Sequence, residues 1–97
     1  MDGPVALERE MGCPREDLLR WLPGATALAP ARIEGDAIVL SAGGGEVRIV
    51  ARELPPRRIA LVSLPVLAVS FRFDGLDEAT RAAFLARFDL YTRRGGG

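Results

Sequence analysis

Arg57 to Phe73 reads RRIALVSLPVLAVSFRF, and between Arg58 and Arg72 it holds thirteen consecutive uncharged residues. Such a run is too short to span a bilayer, which takes about 20 apolar residues, and Pro65 stands in its middle. Two strands, 57–62 and 66–73, joined by a tight turn at Ser63-Leu64-Pro65, account for it. Alternation places Ile59, Leu61, Leu67, Val69, Phe71 and Phe73 on one face. Ala60, Val62, Val66 and Ala68 fall on the other, with Val50 of the preceding strand beside them. Both faces of this central hairpin are therefore apolar, and both need cover.

Upstream, EVRIVARE alternates, with Val47, Ile49 and Ala51 inward and Arg48, Val50 and Arg52 outward, until Pro55-Pro56 breaks the run. AIVLSA follows a hairpin turn at Gly35-Asp36, and Gly43 to Gly45 make a second turn. That glycine run lacks both the GxxxxGK[ST] and the GxGxxG spacing, so phosphate binding is not expected of it. ALAPARIE, interrupted by Pro30, suits an edge strand or an irregular entry. VALEREM, near the start, puts Val5, Leu7 and Met11 on one face and Ala6, Glu8 and Glu10 on the other. GCPREDLLRWLPG reads as a short helix with Pro14 in its first position, Glu16 and Asp17 near the positive end of the dipole, and a stripe of Leu18, Leu19, Trp21 and Leu22. Arg20 is spaced to pair with Glu16, and Pro23-Gly24 marks the stop. Downstream of Asp74-Gly75, a long helix runs from an Asp77 N-cap to about Arg93, carrying Phe84, Phe88 and Tyr91 flanked by Leu85. Asp77 and Arg81, and Asp89 and Arg93, are spaced to pair along it.

The predicted order is β-α-β-β-β-β-β-α. It describes an α+β fold with an antiparallel sheet of five to six strands, a short N-terminal helix and a long C-terminal helix packed on one face. A single domain spans 1–97, with a frayed glycine tail at 95–97. The element order resembles the START-like helix-grip superfamily, which opens strand-then-helix, continues through a meander and closes with a helix lying in the curved sheet. That resemblance implies a cavity for a small apolar ligand beneath the final helix, which here would be lined by Phe71, Phe73, Phe84, Phe88 and Tyr91.

Composition narrows the chemistry. The chain has thirteen basic and thirteen acidic residues, no histidine and one cysteine. All the basic residues are arginine. Zero net charge lacks the electrostatic footprint of a non-specific nucleic-acid binder, so no nucleic-acid partner is expected. No membrane role is expected either. The acidic opening MDGPVALERE has no apolar core of signal-peptide length, and a lone cysteine makes no intrachain disulfide, so a cytoplasmic protein is expected.

Candidate sites are few. Without histidine there is no Cys–His dyad and no Ser–His–Asp triad, so Cys13, just before a helix N-terminus, has a dipole to lower its pKa but no base. With one thiol and only carboxylates otherwise, Glu8, Glu10, Glu16 and Asp17 read as a solvated strand face and a helix start; no metal, cofactor or catalytic site is expected. Arg48, Arg52, Arg57, Arg58 and Arg72 would form an anion patch if gathered, but Glu46 and Glu53 lie among them and a solvated sheet rim is the expectation. The RRGGG ending is similar to that of ubiquitin-like sulfur carriers, whose tail leaves a strand; here it leaves a helix, and Arg93, Arg94 and Gly95 serve as its end. What remains is the second sheet face. Val50, Ala60, Val62, Val66 and Ala68 there are the candidate surface for a homodimer or a protein partner. The expected function is that of a small non-enzymatic accessory protein, with apolar-ligand binding and carriage through Gly97 as alternatives.

Overall fold

In the computed structural model, residues 4–26 and 31–94 are described; Pro30 and Gly95–Gly97, on which an edge strand and a tail were read, lie outside them. Five strands and two helices follow in the order β1 (Val5–Met11), α1 (Arg15–Ala25), β2 (Ala31–Glu34), β3 (Ala37–Ala42), β4 (Gly45–Ile59), β5 (Val62–Asp74) and α2 (Glu78–Arg94). The sheet is antiparallel throughout, in the order β1-β5-β4-β3-β2. The α+β class therefore holds. The strand count is five because β4 does not stop where expected.

Pro55 and Pro56 do not break β4. Leu54 pairs with Val66 and Arg57 with Leu64, so the two prolines form a bulge opposite the single Pro65. A bulge absorbs the missing donors, which is where a strand tolerates proline. The turn is displaced accordingly. Ile59 pairs with Val62, leaving the two-residue loop Ala60-Leu61, with Ala60 at φ 54°. Positive φ at the first loop position matches the right-handed twist of a hairpin, although alanine adopts it less readily than glycine. The expected turn at Ser63-Leu64-Pro65 lies inside β5 instead.

Helix α1 runs to Ala25, two residues past its proline. Pro23 sits inside it, near the C-terminal end, where it removes a single hydrogen bond. The Thr26 amide and hydroxyl both donate to the Leu22 carbonyl, at 2.9 and 2.7 Å, and close the helix end. Pro14 stands one place earlier than expected, as the N-cap, its carbonyl accepting from the Asp17 amide at 3.1 Å. Arg20 bonds Asp17 at 2.8 Å rather than Glu16. Asp77 caps α2 as expected, its carboxylate accepting from the Thr80 amide at 2.8 Å.

Both helices pack on the same sheet face. Leu18, Leu22 and Ala25 of α1 and Phe88 of α2 share one buried cluster with Leu40, Val47, Ile49, Leu67, Val69, Phe71 and Phe73. Each fully buried leucine or phenylalanine there contributes roughly 2–3 kcal/mol of transfer free energy. The two helices are clasped at one end. The Arg87 guanidinium donates to the Gly24 carbonyl at 3.0 Å and lies 4.7 Å from the centre of the Tyr91 ring. Tyr91 in turn touches Gly24, where an added Cβ would stand 3.0 Å from the ring.

Candidate functional site

With both helices on one side, neither shelters the second sheet face. Its residues shelter themselves. Arg32, Val39 and Arg48 are cross-strand neighbours, as are Glu34, Ala37 and Val50. Arg32 pairs with Glu34 and, at 2.9 Å, with Glu46, while Arg48 pairs with Glu34 at 3.0 Å. This lattice lies over Val39, which is 1% exposed. Hydrogen bonds from Arg32 first and Arg48 second hold the Glu34 carboxyl below its ordinary pKa. Long charged side chains cover apolar surface with their stems in this way. Further along, Ala68 is buried between its strand neighbours Glu10 and Arg52.

The five residues read as a partner surface are thus placed differently from one another. Val62, Val66 and Ala68 alternate along β5 and share the second face, as expected, and Val50 stands on the same face, half-buried beside Ser70. Ala60 belongs to the turn. Only Ala60 and Val62 are exposed, and Ala68 is closed over.

Apolar exposure concentrates where β4 and β5 outrun the sheet. β3 ends its pairing with β4 at Val50, and β1 ends its pairing with β5 at Leu67, so residues 55–65 form a two-stranded arm. The molecule measures 49 Å along its longest axis against 24 and 22 Å across. The arm's tip carries Ile59, Leu61, Val62 and Leu64, at 55, 103, 55 and 42% exposure. The Ile59–Val62 pair and the Arg57–Leu64 pair share a face, with Arg58 and Ser63 opposite. Ile59 and Leu61 were expected inward with Leu67; the bulge moves Ile59 to the other face and the turn takes Leu61 to the apex. The arm holds two arginines and no acid. Arg57 lies 3.7 Å from Glu10, and Arg58 has no ion pair among the described residues.

The ring cluster beneath α2 is closed on itself. Phe71 and Phe88 meet edge to face at 4.9 Å between centroids, and Phe84 meets Phe73 at 5.9 Å. Tyr91 does not join them; it sits at the rim against α1, 38% exposed. Cys13 is buried, and burial first and Asp17 second push its thiol pKa up, against the direction that nucleophilic chemistry needs. Of the five arginines considered as a patch, Arg48 and Arg72 are occupied by Glu34 and Asp74, at 3.0 and 3.5 Å. Asp89 pairs with Arg9 of β1; the Arg93 side chain, read as its partner along the helix, lies outside the described residues. Among the described residues there is no group of three or more metal-ligating side chains and no helix long and apolar enough to cross a membrane. No family model matches the chain, and no curated protein or solved structure is significantly similar to it.

Proposed function

We propose that the protein is a small non-enzymatic association module, working in the cytoplasm, whose working part is the tip of the β4–β5 arm. One observation carries this reading: four large apolar side chains, Leu61 with its full surface among them, project from the body on a two-stranded support. Contiguous apolar exposure of this kind marks a surface that another surface covers. The arm's edges are blunted by Pro55 and Pro56 on one strand and Pro65 on the other, which opposes recognition by strand addition. Side chains are left as the means of contact. Binding of a small apolar ligand is less well supported, because the four phenylalanine rings occupy the space that a ligand beneath α2 would take.

Size-exclusion chromatography with light scattering across a concentration series tests the proposal. The native chain is expected to exceed monomer mass as concentration rises, and Leu61→Glu to remain monomeric with an unchanged melting curve. A Leu61→Glu protein that associates as the native chain does would refute it.

A further inference from the structure

The arm is held differently from the sheet it grows out of. Within the body β4 and β5 are each paired on both sides, β4 by β3 as far as Val50 and β5 by β1 as far as Leu67. Beyond those limits they have only each other, and every residue from Pro55 to Pro65 is exposed. We infer that the arm is a separate cooperative unit, which opens back to the proline bulge and closes again while the body stays folded, and that its closure is coupled to self-association. The coupling rests on the tip being an association surface, as proposed above; the opening does not.

The boundary lies at the neck. Leu54 pairs with Val66 and Arg57 with Leu64, and none of Pro55, Pro56 and Pro65 between them has an N–H to donate. A hollow of about 170 Å³, lined by Cys13, Pro14, Leu54, Pro56 and Pro65 among others, leaves that side of the neck uncovered. Past the bulge three residue pairs remain, Arg57–Leu64, Arg58–Ser63 and Ile59–Val62. A two-stranded hairpin with no face to bury is marginally stable in water. This one is further weakened at its turn and by its charges. Leu61, at 103% exposure, adds no burial to the closed state. Ala60 holds φ at 54°, a conformation that disfavours any residue with a Cβ, at the first loop position, where glycine is most readily accepted. Arg57 and Arg58 are adjacent like charges, and the one ion pair from the arm to the body among the described residues, Arg57 to Glu10 at 3.7 Å, joins two side chains that are 64 and 61% exposed. Leu54 and Val66, by contrast, are half-buried and Leu67 is buried, so opening stops there. A second copy that covers Ile59, Leu61, Val62 and Leu64 supplies the buried face that the arm lacks alone, and therefore binds the closed form more tightly than the open one.

The test is hydrogen exchange read by mass spectrometry on the native chain, dilute and concentrated. In the dilute chain, peptides covering Arg57 to Leu64 are expected to be protected less than about tenfold, and those covering Val47 to Ala51 and Val69 to Phe73 about a thousandfold or more. Raising the concentration until light scattering shows associated mass is expected to slow exchange in the arm by at least about tenfold and to leave the body unchanged. Ala60→Gly relieves the turn without touching the four exposed side chains; it is expected to raise arm protection in the dilute chain by up to about fivefold and to tighten self-association. Arm protection well above tenfold in the dilute chain would overturn the inference and leave the tip's association role standing, since Leu61→Glu tests that role separately. An arm still unprotected in the associated protein would overturn the coupling. A native chain that is monomeric at every concentration, its arm unprotected throughout, would remove both the association role and the coupling and support the opening by itself.

Discussion

Gly45 shows how tightly single residues are specified in this fold. It follows the Gly43-Gly44 turn, whose two residues have φ of 53° and 85°, and it packs against the end of β5. A Cβ there would lie 2.2 Å from the Asp74 carbonyl oxygen and 2.8 Å from the Gly75 backbone. Backbone cannot step aside as a side-chain tip does. Gly45→Ala is expected to cost about 3 kcal/mol in urea unfolding, whereas Gly44→Ala, with open space around its Cβ, is limited to the strain of positive φ. Sequence showed that the glycine run turns the chain. It did not show the close approach, because Asp74 and Gly75 reach Gly45 only through the pairing of β4 with β5.

At the scale of elements, Asp77 gives a pH-dependent prediction. Hydrogen bonds from Thr80, side chain first and backbone second, hold its carboxyl below the ordinary 3.8. A carboxyl lowered in the folded state stabilises above its unfolded pKa, and that contribution is lost as pH falls through the folded value. Asp77→Ala should therefore lower the melting temperature at pH 7, and the gap from the native chain should close as pH drops below 3.8. The cap was legible because Asp77 precedes a helical stripe at the right distance. The β4–β5 arm was not. Pro55-Pro56 and Pro65 are ordinary stop signals taken singly, and become a bulge only when placed opposite one another. Ala60-Leu61 has none of the residues that announce a two-residue turn; the turn falls there because Phe71, Phe73, Val47 and Ile49, anchored under the helices, set the register from the other end. Alternation from Leu67 to Phe73 needs no such information and was read correctly.

For the whole molecule, the apolar content of the central hairpin is divided between a core and a tip. The reasoning that two apolar faces need two covers was sound for Val69, Phe71 and Phe73, which the helices bury. On the second face the cover is supplied by arginine and glutamate from β2 and β4, side chains that a sequence shows as a neutral charge balance and not as a lattice. The surplus apolar surface moves to the end of the arm. Association through that end, and not through the flat face, is the claim on which the functional reading depends. The most direct measurement is a concentration series of amide chemical shifts on the isotope-labelled native chain. Shifts that move with concentration at Ile59 to Leu64, while those of Val39, Arg48 and Ser70 on the charged face stay fixed, are the predicted result. Movement confined to the charged face, with the arm unchanged, would contradict the account.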